Sequence, residues 1–264
     1  MFLTPLRSDS TSCPEIVLPA SQAHHPTARA CIGRDTIRRW CLGAPILPAR
    51  RPVTESRLTP EFFQREDEED DSVFYSFPRL VVHIDEGAIA AVSRLFRDLI
   101  PENSDVLDLM SSWRSHWPEG HPKKKLVGLG LNRVEMEENP DLDEVVVHNV
   151  NNEPELPFED ESFDAVVITV SAQYLTKPIQ TFNHVARVLR PGGKFIVSFS
   201  NRMFGTKAVL VWRNSTDRGR VDLVGTYMEA TEAFEDIQAA FLNPDKSPPG
   251  DPMYAVYSRK AAEG

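Results

Sequence analysis

The sequence has few cysteines, no long apolar run and no extended basic cluster. Its three cysteines, Cys13, Cys31 and Cys41, lie in the first fifth of the chain without metal-ligand spacing, so we expect neither a disulfide framework nor a metal site. No apolar run approaches the roughly 20 residues of a membrane-spanning helix, so we expect no transmembrane segment. The net charge of −10 opposes nucleic-acid binding and favours a small-molecule or protein substrate, with the small molecule preferred. Nothing in the composition indicates an oligomeric state.

The first 57 residues differ in composition from the rest of the chain. They contain eight arginines, no lysine and four acidic residues, and they are rich in proline, serine, threonine and alanine. An arginine-rich, acid-poor segment of this kind is typical of an organelle transit peptide, whereas the apolar stretch of a secretory signal is missing. We therefore expect an organellar protein, with the chloroplast favoured over a mitochondrion or the cytoplasm. A disordered leader without a targeting role is the alternative.

Residues 58–73 are predicted to form an acidic linker. Within them, residues 66–71 read EDEEDD, an unbroken run of six acidic side chains. Because six like charges repel one another in any compact site, a solvated segment is favoured over metal binding. The folded domain is then expected to span residues 74–260.

A strand–helix–strand unit is predicted within residues 156–200. Residues 165–168 form a short apolar run, as expected for a parallel strand that is covered on both faces. Pro178 suits the first turn of the following helix, which is expected to end at the Pro-Gly-Gly of residues 191–193. The next strand is predicted at residues 194–199. Further strands are predicted at residues 106–109, 125–131, 144–148, 234–242 and 253–258, and a helix capped by Asp85 is predicted to end near residue 100.

Two motifs in this unit are more specific than its topology. One is the Leu-Pro-Phe of residues 156–158, which precedes Phe163-Asp164, and the other is the LRPGG of residues 189–193. Together they resemble class I S-adenosylmethionine (SAM)-dependent methyltransferases, of the methyltransferase type 11-like families. The resemblance implies an α/β fold with a Rossmann-like, seven-stranded, mostly parallel sheet, helices on both faces and an antiparallel last strand. It also implies SAM as the cofactor.

The turn after the first predicted strand departs from the family pattern. In the family, an acid is followed by a glycine-rich turn, D-x-G-x-G-x-G, whose glycines let the backbone approach SAM closely. Here Asp108 is kept, and Met110, Ser111 and Ser112 stand in the turn without any glycine. The LDLMSSW of residues 107–113, with the GLGLN of residues 128–132, resembles a poorly characterised methyltransferase-like subgroup of photosynthetic organisms.

The resemblance implies a cofactor site at the carboxyl ends of the strands. Of three acids expected there, only Asp108 is kept, because Asn132 and Asn149 stand at the other two positions. An asparagine lacks the charge-assisted hydrogen bonds of a carboxylate. Glu135 could substitute for the acid missing at 132, and an ordinary helix cap is the alternative role for Asn132. The implied cofactor-binding residues are Asp108, Met110, Ser111, Ser112, Asn132, Asn149, Val150, Val170 and Ser171.

Substrate contacts are expected from Tyr174, Asn201 and Arg202, which follow strands at the same edge of the sheet. Arg202 suits an anionic group, with a surface ion pair as the alternative, and Tyr174 could equally serve in packing. The catalytic residue is unknown, and His116 is the one histidine that merits a test as a base. Methyl transfer relies mainly on proximity and orientation. Two functions therefore stay open, methyl transfer to a small molecule and a catalytically inactive methyltransferase-fold binding or assembly factor.

Overall fold

The computed structural model describes residues 39–40, 58–243 and 250–262. The predicted leader therefore lies outside the described residues, apart from residues 39–40. In chain order the elements are β1 (Arg39–Trp40), a 3-10 helix (Pro60–Phe63), α1 (Asp71–Phe74), α2 (Glu86–Leu99), β2 (Ser104–Leu109), β3 (Lys123–Gly130), α3 (Arg133–Glu137), β4 (Glu144–Val147), β5 (Phe163–Thr169), a second 3-10 helix (Ala172–Tyr174), α4 (Pro178–Val188), β6 (Leu189–Phe199), α5 (Leu210–Arg213), α6 (Asp217–Ala230), β7 (Phe234–Phe241) and β8 (Tyr254–Lys260). Among these helices, none is both long and apolar enough to cross a bilayer.

The strands form one sheet in the order β1-β7-β8-β6-β5-β2-β3-β4. The pairs β3–β4, β2–β3, β2–β5 and β5–β6 are parallel, and β8 lies antiparallel between β6 and β7. The predicted mostly parallel sheet with an antiparallel last strand is thus confirmed. A short eighth strand, β1, pairs antiparallel with β7 from within the segment predicted as a leader. The chain leaves β2 toward β3 on one side and returns to β5 on the other, which creates a switch point beside β2.

Helices cover both faces of the sheet because its central strands are apolar on both sides. In β5, Val166 and Ile168 belong to one buried cluster, whereas Ala165 and Val167 belong to the other. This alternation follows from the two-residue period of a strand. Helices α4 and α6 pack on the first face, and α2 packs on the second. The predicted start of α2 is confirmed, since the Asp85 carboxylate accepts a hydrogen bond of 2.9 Å from the Ala88 amide.

The Pro-Gly-Gly of residues 191–193 does not separate helix from strand as predicted. Helix α4 ends at Val188, and residues 191–193 lie within β6. Two register pairs, Phe163 with Leu189 and Ala165 with Lys194, leave the intervening residues of β6 as a bulge. Gly192 has a φ of +77°, a conformation that glycine adopts without steric cost. The motif therefore forms a bulge inside the strand rather than a turn before it.

The acidic segment is solvated only in part, because four of its six acidic residues are exposed while the other two contact buried or partly buried basic side chains. Asp71 is buried and accepts a hydrogen bond of 2.6 Å from Arg65. Lys207 is fully buried, lies 3.2 Å from the Asp67 carboxylate and donates a 2.7 Å hydrogen bond to the Glu69 carbonyl. These basic side chains offset the repulsion that the sequence alone suggested. Residues 65–71 consequently pack onto the domain beside the functional cleft.

Candidate active site

A cleft of about 470 Å³ opens at the carboxyl ends of the parallel strands. Its volume lies within the range of small-molecule and cofactor sites. Loops that follow β2, β3, β4, β5 and β6 each contribute to its lining. This position beside the switch point is where open α/β sheets bind ligands.

The structure brings nearly all of the predicted site residues together. All nine predicted cofactor-binding residues line the cleft, as do Tyr174 and Arg202. Asn201 is the exception, because its side chain is exposed and does not belong to the lining. Its Oδ1 instead accepts a 3.3 Å hydrogen bond from Ser200. The substrate contact at Asn201 therefore stays a prediction, without support from the lining of the cleft.

Asp108 lies buried at the end of β2 and is held by two hydroxyl groups. Ser111 and Ser115 each donate a 2.6 Å hydrogen bond to the same carboxylate oxygen. Burial raises the pKa of Asp108 to about 6, although the two hydroxyl groups lower it in part. Asn139 donates to both Ser115 Oγ and the Ser112 carbonyl, at 3.0 and 2.8 Å. The acid is thus the centre of a network that fixes the loop after β2.

The space for this loop comes from a glycine on the neighbouring strand. At Gly130, a Cβ atom would lie 2.3 Å from the carbonyl oxygen of Ser111, a separation that real structures do not tolerate. The Ser111 amide also donates a 2.8 Å hydrogen bond to the Leu129 carbonyl. The backbone can therefore approach β3 closely even though the loop itself contains no glycine. The Gly-Leu-Gly of residues 128–130 carried this signal in the sequence, where it was used only as a family motif.

Three cleft residues other than glycine adopt left-handed backbone conformations, namely His116, with a φ of 58°, and two residues that directly follow strands. Met110 has a φ of 61° directly after β2, and Val170 has a φ of 52° directly after β5. Such a conformation is rare for any residue other than glycine and is a true outlier for a β-branched side chain. Strain of this kind costs about 1–3 kcal/mol and is concentrated at functional sites. All three residues border the cleft.

The bulky residues of the loop after β2 do not fill the cleft. Trp113 borders it and is half-buried, with the Arg114 guanidinium 3.7 Å from the centre of its ring. Met110 is also partly buried and packs against the core. His116 borders the cleft too, and burial lowers its pKa to about 4. Its imidazole is therefore neutral at physiological pH.

Asn132 serves as a helix cap. Its Oδ1 accepts a 3.1 Å hydrogen bond from the Glu135 amide, and its Nδ2 donates a 2.8 Å hydrogen bond to the Tyr75 carbonyl. Glu135 is buried, and its two oxygens accept hydrogen bonds of 2.6 Å from the Arg79 amide and from Ser112 Oγ. Asn132 therefore has the helix-capping role that the sequence left open. The carboxylate of Glu135, one helical turn later in α3, borders the cleft.

The loop after β4 presents an amide donor to the cleft. Asn149 Oδ1 accepts hydrogen bonds from the Asn151 and Asn152 amides, at 3.0 and 3.4 Å. This fixes the orientation of the amide, so its Nδ2 points away from those partners. Within the described residues, the buried Asn149 Nδ2 and Trp113 Nε1 have no hydrogen-bond partner. Each lacks an acceptor that a bound molecule could supply.

A group of aromatic side chains, here called the aromatic wall, also borders the cleft. Tyr174 and Phe204 stack with ring centres 6.1 Å apart, and the Tyr174 hydroxyl accepts a 2.8 Å hydrogen bond from the Phe204 amide. His83 contacts Phe204 edge-on at 5.1 Å, and Tyr75 also belongs to the lining. Arg202 reaches the cleft as well, but it pairs with Asp251 at 2.8 Å. The surface ion pair considered for Arg202 is therefore present.

Sequence reasoning did not assign the segment before α2 to the site. Tyr75, Arg79 and residues 81–84 all border the cleft. The Arg79 guanidinium lies 4.5 Å from the centre of the Phe74 ring. Residues 74–77 were assigned to the folded domain, but nothing in one sequence indicated that this part of the chain would border a cleft formed by strands from later in the chain.

The residues present fit SAM as the implied cofactor. The cleft has sufficient volume, the loop after β2 is held close to β3 at Gly130, and Asn149 offers an unpaired donor for an acceptor atom of a bound molecule. Asp108 and Glu135 supply carboxylates beside these groups. The loops after β2, β3 and β4 are the ones that would hold the cofactor.

Comparison with known proteins gives a partial but consistent match. Residues 125–197 match the methyltransferase domain family Methyltransf_11. The demethylmenaquinone methyltransferase of Renibacterium salmoninarum is 36% identical over 78 residues, which cover 29% of this chain and 31% of that protein. The corresponding protein of Paenarthrobacter aurescens is 31% identical over 86 residues, or 33% of this chain and 31% of that protein. The chain thus matches about a third of the length of these curated relatives.

Solved structures of similar shape include a SAM-dependent methyltransferase from Aquifex aeolicus. Its sequence is 12% identical to this one. The aligned region covers 66% of this chain and 92% of the Aquifex chain, with a TM-score of 0.49. The segment matched by the family extends from β3 into β6 and contains both motifs of the central βαβ unit. Over this segment the chain is similar to methyltransferase domains of the Methyltransf_11 family, which agrees with the resemblance seen in the two motifs.

Proposed function

We propose that this protein transfers a methyl group from SAM to a small-molecule acceptor. The observation that carries the proposal is one cleft lined by two unlike groups of residues. Polar loops that follow β2, β3 and β4 line it together with several aromatic side chains. When bound, SAM supplies an electrophilic methyl group on its sulfonium. The chain has to bind the two molecules, orient them and exclude water, and these effects can account for several kcal/mol of the barrier.

The aromatic wall favours a planar acceptor. The cleft lining includes four aromatic or imidazole rings, those of Tyr75, His83, Tyr174 and Phe204. Aromatic pairs gain about 0.5–1.5 kcal/mol beyond simple burial. The curated relatives are named for methylating demethylmenaquinone, a quinone. We therefore propose an acceptor with an electron-rich aromatic ring, such as a quinol, the reduced form of a quinone.

Proximity rather than strong general-base catalysis is expected to drive the reaction. His116 borders the cleft, but its low pKa makes it a weak base. A general base works best when its pKa lies near the working pH. An acceptor that is already nucleophilic at neutral pH fits these residues best.

Calorimetric titration of the full chain with SAM, and with its demethylated product S-adenosylhomocysteine, tests the proposal. Both should bind, and both should raise the unfolding temperature. The Asn201→Ala variant is the control and should bind both as the wild type does, because Asn201 lies outside the cleft lining. Absence of heat and of any thermal shift at millimolar ligand would refute the proposal.

A binding or assembly factor without catalytic activity is the second candidate. Asn132 uses both amide atoms within the protein, and Glu135 accepts hydrogen bonds on both oxygens. Because these side-chain atoms already have hydrogen-bond partners within the protein, fewer of them are free to bind the ribose hydroxyls of SAM. The same titration separates the candidates, since the binding factor requires no SAM affinity.

The composition of the first 57 residues supports a further proposal, that the protein acts in an organelle, with the chloroplast favoured. A fluorescent protein fused to these residues should enter the organelle. Uniform cytoplasmic fluorescence would contradict this location.

A further inference from the structure

Three histidines border the cleft, and they differ in what their rings already contact. The His148 ring forms a 2.8 Å hydrogen bond with the Glu153 carbonyl. Burial lowers the pKa of His116 to about 4, which makes its ring nitrogens poor acceptors. His83 is exposed, and in the part of the chain that the structure describes neither of its ring nitrogens has a hydrogen-bond partner. His83 is therefore the histidine best placed to accept a hydrogen bond from a bound molecule.

Hydrogen bonds already occupy the carboxylates of the cleft and one of its phenol oxygens. Glu135 accepts on both oxygens, at 2.6 Å each, and Asp71 does so at 2.6 and 2.8 Å. Asp108 is buried and accepts from two serine hydroxyls, while the Tyr174 hydroxyl accepts from a backbone amide. Compared with these groups, His83 offers an unoccupied lone pair to a hydroxyl group that enters the cleft.

The His83 ring stands among the rings of the aromatic wall. Its centre lies 5.1 Å from that of Phe204, with an angle of 80° between the two ring planes. Phe204 in turn stacks with Tyr174, with ring centres 6.1 Å apart. The rings that favour a planar acceptor thus stand beside a nitrogen that can accept from a substituent at the edge of such a molecule.

Contacts on both sides of His83 hold its backbone in place. The Arg79 amide donates a 2.6 Å hydrogen bond to Glu135. Ile84 is buried in the core, and Asp85 caps α2. The imidazole is therefore presented to the cleft from an anchored segment, as a group that selects a ligand by its shape and hydrogen bonding requires.

The surroundings of His83 keep its ring neutral at physiological pH. Burial of part of the ring and the positive charge of Arg79 lower its pKa, and together they outweigh the negative charge of Glu135, which acts from α3 in the opposite direction. A neutral imidazole carries a proton on one nitrogen and a free lone pair on the other. His83 can therefore act as a hydrogen-bond acceptor under the conditions in which the protein works.

We propose that His83 accepts a hydrogen bond from a hydroxyl group on the aromatic ring of the methyl acceptor. The inference rests on the proposed function and specifies its substrate class as a phenol or quinol, in contrast to an oxidised quinone or an ether. Accepting this hydrogen bond leaves more electron density on the ring, which assists its attack on the methyl group of SAM without complete removal of the proton.

The test compares 1-naphthol with 1-methoxynaphthalene, because the two share a ring system and an oxygen atom but only 1-naphthol can donate a hydrogen bond. Equilibrium dialysis measures the affinity of each for the full chain saturated with S-adenosylhomocysteine. The ratio of the two affinities, in favour of 1-naphthol, should be about 2- to 10-fold higher in the wild type than in His83→Phe, the usual net effect of one hydrogen bond. His83→Gln, whose amide oxygen can still accept, should retain part of the difference.

The matched control is His184→Phe, the same substitution on α4 outside the cleft lining, and it should keep the wild-type ratio. Lowering the pH through the pKa of His83, followed by NMR of its imidazole, should remove the wild-type preference for 1-naphthol, since a protonated ring has no free lone pair. Titration of Asp108 in the same cleft acts on both probes and therefore cancels in the ratio.

Three results would overturn the inference. The first is an equal ratio in the wild type and His83→Phe, and the second is an equal loss of the preference in His184→Phe. The third is that neither probe binds, because the cleft would then not accept an aromatic ring with a hydroxyl group. Failure of S-adenosylhomocysteine to bind the wild type refutes the proposed function itself and is detected before either probe is added. Its binding to each variant shows that the variant is folded.

Discussion

The buried carboxyl of Asp108 should make the protein less stable as the pH rises from about 4 to about 6. Burial raises the pKa of this group from 3.8 to about 6. Below pH 4 the carboxyl is protonated in both the folded and the unfolded chain. Between the two pKa values the unfolded chain loses the proton and the folded chain keeps it, so unfolding becomes easier. Above pH 6 the carboxyl is ionised in both the folded and the unfolded chain, so the free energy of unfolding falls no further.

The size of the effect follows from the shift. A difference of about two pKa units, at about 1.4 kcal/mol for each, gives a loss of about 3 kcal/mol. The variant Asp108→Asn removes the ionisation but keeps an oxygen that can accept from Ser111 and Ser115. The free energy of unfolding of the variant, relative to the wild type, should therefore increase by about 3 kcal/mol between pH 4 and pH 7.

Urea unfolding of both proteins at half-unit pH steps measures this difference. Asp105, on the same strand, supplies a control of opposite sign. Burial would raise its pKa, but hydrogen bonds from Lys124 and Arg190 hold that pKa below its ordinary value. Asp105→Asn should therefore lower the free energy of unfolding at neutral pH. In acid, where the wild-type carboxyl is protonated, the variant and the wild type should be equally stable. Parallel stability curves for the wild type and Asp108→Asn would refute the assignment of a buried, readily protonated carboxyl.

Four further predictions concern the cleft, its surroundings and the partners. Ser112→Leu should abolish SAM binding in calorimetry and should also cost about 1–3 kcal/mol of stability, because buried Glu135 loses its hydrogen bond from Ser112, whereas undiminished binding would contradict the placement of the cofactor. Gly130→Ala should destabilise the protein by about 1–3 kcal/mol in urea unfolding, because a Cβ there would meet a loop carbonyl at 2.3 Å. Lys207→Met should cost about 3 kcal/mol or more, since it leaves buried acidic groups short of a partner, whereas Arg202→Met, at an exposed ion pair, should cost under 1 kcal/mol. The protein should pass through an RNA or DNA column at low salt without retention, and salt-dependent retention would count against a small-molecule substrate.

Local patterns were sufficient to predict most of the sheet. The apolar run of β5 and the spacing of the apolar residues of α4 each report the periodicity of one element. Those patterns depend on neighbours a few residues away, which the sequence displays directly. The bulge at residues 191–193 was missed because Pro-Gly-Gly is compatible both with a turn after a helix and with a bulge inside a strand. Only the partner strand decides between the two.

The acidic run at residues 66–71 is exposed as predicted at four positions, but the burial of Asp71 was missed because its partner Lys207 lies far along the chain. Charge repulsion within the run is a local property, and by itself it predicts a solvated segment. Lys207 is more than a hundred residues away, and its full burial between acidic groups could not be inferred from spacing. A charged run can therefore be predicted as solvated only when no distant counter-ion is brought to it by the fold.

The site shows the same distinction between local and distant information. Residues that follow parallel strands share one edge, so the sequence could bring nine of them to one cleft without knowing any side-chain contact. The absence of glycine from the loop after β2 suggested that close backbone approach had been lost. How closely two backbone segments approach, however, depends on the space where they touch. A glycine in either of the two segments can provide that space. Here β3 provides it, because Gly130 lacks the atom that would meet the Ser111 carbonyl. A turn without glycine is thus compatible with a close backbone contact wherever the neighbouring strand carries the glycine instead.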